Sequence, residues 1–121
     1  MPLSSTGEST VLAALLAARF ISLHTADPGN TGASEVAGGA YARQGPVTFT
    51  NTGSNPTTSA NSTLITYPTA TANWGTITHF GLWSAATAGT FYGGAAVTTS
   101  KAIDVDDIAR WDIGKLTFTA D

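Results

Sequence analysis

The chain has 121 residues, of which 42% are hydrophobic and only 11% charged, so its length suits one folded domain and its charge share is less than half the roughly 25% usual for soluble proteins. Five Lys and Arg stand against eight Asp and Glu, a formal net charge of −3, which argues against nucleic acid as a partner, since phosphate binding needs a concentrated basic face. The absence of cysteine excludes a disulfide scaffold, a thiolate metal centre and a cysteine nucleophile.

The first segment reads as a helix. Ser5-Thr6-Gly7-Glu8 fits a Ser-x-x-Glu capping box, with Ser5 at the N-cap. Val11, Leu12, Leu15 and Leu16 then make one broad apolar face over about three turns. That face either lids the chain's own core or, flanked by alanines that permit close approach, meets another protein. The apolar run over residues 11–18 is far shorter than the roughly 20 residues needed to cross a bilayer. It follows polar residues rather than the positive charge of a secretory signal. The expectation is a soluble chain with no membrane partner, not exported by a signal of its own.

Beyond residue 19 the pattern turns to short strands. Residues 20–24 (FISLH) run into Asp27-Pro28-Gly29-Asn30, a turn cluster, and residues 29–40 read as loop. Strands are predicted over 46–50 and 63–67, separated by a polar, low-complexity stretch at 51–61 that reads as a mobile surface loop. Residues 76–84 and 90–98 predict a hairpin about Ala88-Gly89, with Gly81 marking a bulge or a close backbone approach. Residues 102–105 and 115–120 supply the last strands. Seven or eight short strands behind one helix predict a mainly β fold over residues 1–121, an antiparallel, jelly-roll-like β-sandwich with residues 1–18 as its helical segment. No internal repeat supports a solenoid or a repeated fibre shaft.

Few residues offer chemistry. Ser22 and His24, two apart on one strand face with Asp27 beyond, and His79 are the only material for a hydrolase, and no Gly-x-Ser-x-Gly elbow accompanies them. The plain alternative is two hydrogen-bonded packing histidines. Asp104, Asp106 and Asp107, with Asp112, spell either a hard-cation site or a turn with Asx-type hydrogen bonds. Asn61-Ser62-Thr63 matches the glycosylation sequon. Trp74, Phe80, Trp83, Phe91, Tyr92 and Trp111 are expected to fill the core, unless one or two Trp stack on a sugar. No catalytic residue, cofactor or metal is assigned.

Three stretches carry a family likeness. Residues 23–29 (LHTADPG) lead to Glu35-Val36 and to residues 39–44 (GAYARQ); residues 74–83 read WGTITHFGLW; and residues 89–94 (GTFYGG) are followed by 98–101 (TTSK). Together they resemble the small structural proteins of tailed bacteriophages known as tail-fibre-like or head-decoration proteins. The resemblance implies a virion component with a β-sandwich domain and no enzymatic activity. Residues 104–111 (DVDDIARW) are bulkier and more charged than the short polar turn usual at that place. The leading expectation is a capsid decoration or cement protein on the outer surface of the particle, a homo-oligomer bound to the major capsid protein or other virion proteins. Leu12, Leu15, Leu16 and Phe20 are its expected anchoring side. The alternative is a tail-fibre or receptor-binding module that contacts host surface glycans.

Overall fold

The computed structural model describes residues 4–52 and 57–120. The fold is mainly β, with antiparallel sheets and one short helix near the N-terminus. Helix α1 spans Ser5–Leu15. Its cap is Ser4 rather than Ser5: the Ser4 hydroxyl accepts from the Gly7 N–H at 3.1 Å, one residue before the predicted box. Glu8 is buried against the body of the fold. At the other end Arg19 turns back, its Nε and Nη2 donating to the carbonyls of Leu15 at 2.7 Å and Ala14 at 3.1 Å. A cation there satisfies orphan carbonyls and complements the helix dipole. Replacing Ser4 by Ala is expected to cost about 1 kcal/mol, and Ser5→Ala almost nothing. Chemical denaturation of the two variants checks which serine caps.

Four strands form the larger sheet in the order β2-β1-β6-β7: β1 is Arg19–His24, β2 Gln44–Val47, β6 Gly75–Trp83 and β7 Phe91–Ile103. A three-stranded sheet takes β3 (Phe49–Thr52), β4 (Thr57–Asn61) and β9 (Thr117–Ala120) in the order β3-β4-β9. A small ribbon pairs β5 (Ile65–Thr66) with β8 (Arg110–Trp111). Every pairing is antiparallel, and β6 with β7 is the predicted hairpin.

The predicted loop at 51–61 is corrected by this topology. Residues 51–52 and 57–61 are strand, and β4 sits between β3 and β9; residues 53–56 lie outside the described ones. No apolar alternation announces β4. It forms because its backbone is paired on both sides and its buried polar groups are satisfied. Asn61 Oδ1 accepts from the Leu116 N–H at 2.9 Å, while its amide donates to the carbonyls of Thr63 and Asp112 at 2.8 and 3.0 Å. The strand predicted at 46–50 splits at Thr48: Val47 pairs with Arg19 in one sheet and Phe49 with Asn61 in the other. The stretch at 102–105 is the end of β7 followed by a turn.

The two sheets meet through apolar faces, Phe80 lying edge-on to Phe118 with ring centres 6.5 Å apart. Leu12 and Leu16 join Ile21, Leu23, Ile77, Leu82 and Leu116 in one core cluster, and α1 packs on β3, β4 and β9. The ring cluster of Tyr41, Tyr67, Trp74 and Trp111 seals one end of that core.

β1 is buried on both faces. Ile21 and Leu23 face the core, whereas Ser22 and His24 point the other way and are equally inaccessible. Their cover is the segment 25–43, which folds back over the outer face of the larger sheet. Thr25 N–H donates to the Ser34 carbonyl at 3.2 Å and Val36 N–H to the Leu23 carbonyl at 3.0 Å. Gly32, at φ +75°, lies so close to Trp83 that a Cβ there would come within 2.5 Å of the indole.

Candidate functional site

Ser22 and His24, two of the side chains that the sequence offers for chemistry, meet under this flap. Ser22 Oγ lies 2.7 Å from His24 Nε2, the spacing of a nucleophile and its base. The surroundings assign the protons. The Ala33 carbonyl, 2.7 Å from His24 Nδ1, can only accept, so Nδ1 carries the hydrogen and Nε2 accepts from the Ser22 hydroxyl. The Trp83 indole N–H donates to Ser22 Oγ at 2.9 Å. The result is a one-way chain from Trp83 through Ser22 and His24 to Ala33, with a lone pair of the would-be nucleophile already engaged and both residues fully buried. Such a chain fastens a flap to a sheet; it leaves no space for a substrate. Asp27 is not its third member, since Asp27 Oδ1 accepts from the Gly29 N–H at 2.9 Å in the adjacent turn.

Burial holds His24 below its ordinary value of 6.5, outweighing the Ala33 carbonyl and the Glu35 charge, which favour the cation. The unfolded chain therefore takes up a proton near pH 6.5 that the folded chain refuses, and stability falls as pH drops below that point. A single such group gives a slope of about 1.4 kcal/mol per pH unit. Urea midpoints are expected to decline from pH 6.5 downward in the parent protein, and His24→Gln should lose that part of the decline. An unchanged slope in the variant would assign the titration elsewhere.

A second cluster fixes the far end of the flap. Arg43 grips Glu35 with two parallel hydrogen bonds, Nε to Oε2 and Nη2 to Oε1, both 2.9 Å. Its Nη1 donates to the carbonyls of Ala85 and Ala88 at 3.1 and 2.8 Å, and the guanidinium stacks 3.7 Å over Trp83. Tyr41 bridges the cluster to the sheet: its hydroxyl accepts from the Leu23 N–H at 2.9 Å and donates to Glu35 Oε2 at 2.7 Å. Burial alone would raise the Glu35 carboxyl, but the hydrogen bonds from Arg43 and Tyr41 prevail and hold it below its usual value. Burial, reinforced by the Glu35 bond, drives the Tyr41 hydroxyl far above its normal range, so it stays a donor at any physiological pH. Reasoning from motifs gave Glu35, Tyr41 and Arg43 no role of their own, although a signal was available. Glu35 and Arg43 are the only charged residues between Asp27 and Lys101, which marks them for each other.

The remaining candidates resolve as structural groups. Asp107 Oδ2 accepts from the Asp104 N–H at 2.9 Å and the Asp107 N–H donates to the Asp104 carbonyl at 3.0 Å, so the acidic stretch is a turn; among the described residues no cluster of metal-ligating side chains occurs. His79 Nδ1 lies 2.9 Å from the Thr78 hydroxyl. Asn61 of the sequon is buried with its amide fully engaged. Trp74, Phe80 and Trp111 are in the core, Trp83 and Phe91 are half-buried, and Tyr92 is exposed under the Arg19 guanidinium. Of the four residues expected to anchor a partner, Leu12 and Leu16 are 0% and 4% exposed inside the core, while Leu15 and Phe20 are half-buried. The helix face lids the chain's own interior. No helix among the described residues is long and apolar enough to cross a membrane.

Each stretch that carries the family likeness thus supplies part of one frame: His24 from the end of β1, Glu35, Tyr41 and Arg43 from the flap, Trp74 and Trp83 from β6 and its approach, Phe91 from β7. Over residues 6–119 the chain matches the family described as Podophage GP4 fiber I protein gp80. The chain belongs to that family. It is a bacteriophage structural fibre family with a β-rich member here, so the chain is a virion component. No curated protein matches the chain.

Proposed function

We propose that the chain is a compact body within a phage tail fibre, working by shape and contact and performing no catalysis. The match to a fibre family along nearly the whole chain is the observation that carries this reading. The frame under the flap supports it. A protein outside the cell must keep one conformation without cysteine, and here buried hydrogen bonds and an ion pair tie the longest loop segment to both sheet strands and hairpin turn. Neighbouring copies or other virion proteins are the natural partners, because repetition multiplies a modest contact.

Placement on the head as a decoration protein is the competing reading. The burial of Leu12 and Leu16 speaks against the helix face as its anchor. Copy number on purified particles, by quantitative mass spectrometry with immunogold location, tests the two. A fibre component is expected at on the order of tens of copies or fewer, at the tail, and a shell protein at hundreds. Hundreds of copies over the head would overturn the fibre reading, and absence from the particle would overturn both.

A further inference from the structure

The five cations of the chain are unevenly used. Arg19 is tied to helix carbonyls and Arg43 to Glu35. The other three, Lys101 on β7, Arg110 on β8 and Lys115 in the following turn, line a single groove of about 260 Å³. A chain of net charge −3 that gathers three of its five positive groups in one concavity has a local field opposite to its global one.

The groove is held in shape. The Lys101 ammonium donates to the Arg110 carbonyl and sits 4.7 Å over the buried Trp111 ring, fixing it at the floor. Thr98 Oγ1 lies 3.5 Å from the Lys115 carbonyl. Arg110 and Lys115, both exposed, have no ion pair or side-chain hydrogen bond among the described residues. Their donors face solvent.

We propose that this groove binds an acidic saccharide, a sugar unit bearing a carboxylate or phosphate on a cell-surface glycan. The oxyanion meets Arg110 and Lys115, charge-assisted donors suited to it. The Asp112 carboxylate, also on the lining, repels every anion alike, so what favours a saccharide over a bare phosphate or a run of acidic side chains is its hydroxyls. Asp112 can accept from sugar hydroxyls, as Thr98 and Thr99 can exchange hydrogen bonds with them. The volume lies just under the usual range for a drug-sized ligand, which suits one sugar unit rather than a folded partner. Only the origin of the ligand, a host surface, rests on the fibre reading.

A heteronuclear NMR titration of the intact chain tests this. The probe is a tetrasaccharide of alternating glucuronate and N-acetylglucosamine, beside maltotetraose, inorganic phosphate and tetraglutamate. The acidic tetrasaccharide is expected to move the amide signals of Thr98, Thr99, Arg110 and Lys115, and to weaken severalfold from about 20 to about 300 mM NaCl. The Arg110→Gln/Lys115→Gln double variant should lose about tenfold or more in affinity with its other signals unmoved. Asp112→Asn should improve phosphate binding relative to the saccharide. Equal binding of maltotetraose, tighter binding of tetraglutamate at the same amides, an unaffected double variant, an unchanged preference in Asp112→Asn, or no shifts at all would each overturn the proposal. Failure here with the chain located at the tail leaves the fibre reading standing; binding by a chain located on the head separates the groove from it.

Discussion

Arg43→Ala is expected to lower folding stability by about 3 kcal/mol, read as a shift of the urea midpoint at constant slope. Deleting the guanidinium removes both bonds to Glu35, the donors on the Ala85 and Ala88 carbonyls and the stack on Trp83. It also strands a carboxylate whose side chain is only 19% exposed, and an unpaired buried charge costs more than the pair contributed. Arg43→Lys keeps the charge but not the fork, so about half of the loss should remain. Combining Arg43→Ala with Glu35→Gln removes the orphaned charge, and the double variant is expected to be less damaged than the sum of the singles. A single variant within about 0.5 kcal/mol of the parent would show that the flap is held by other contacts.

Gly81→Ala is the second large effect, also about 3 kcal/mol. A Cβ at Gly81 would stand 2.5 Å from Ser22 Oγ, 2.8 Å from His24 Nε2 and 3.0 Å from the Phe91 ring. None of these can yield freely, because Ser22 and His24 are locked between Trp83 and Ala33. Position 81 is thus glycine for space, and the hydrogen-bonded pair runs directly across it. Ser22→Ala removes the nearest obstructing atom, so Gly81→Ala should cost less in that background by about 1 kcal/mol. Thermal unfolding of the two singles and the double checks the coupling. Strict additivity would place the strain somewhere other than Ser22.

The parts of the fold that could be read ahead are those governed by neighbours in the chain. The helix follows from a serine cap and from leucines at helical spacing, and the β6–β7 hairpin from alternation about a Gly turn. The error of one residue at the cap arises because Ser4 and Ser5 offer the same hydroxyl, and only the geometry chooses between them. β4 stayed illegible for a different reason. Thr-Thr-Ser-Ala-Asn carries no apolar period, and its burial depends on Leu116 and Asp112, more than fifty positions away. The Ser22–His24 pair was visible as a pair, but a buried tether and a reactive dyad have the same letters. The flap that covers it, and the Trp83 donor on its oxygen, distinguish the two.

From its own letters the sequence determined the β-rich class, the single leading helix, the poverty of charge and the family likeness, because each depends on composition or on contacts a few residues apart. Only the tertiary structure decided that Leu12 and Leu16 face inward, that residues 25–43 cover the outer face of a sheet, and that Lys101, Arg110 and Lys115 share one groove. An apolar stripe, a hydrogen-bonding group or a cation has no preferred partner until strands distant in sequence are laid side by side, and that pairing settles which groups water still reaches.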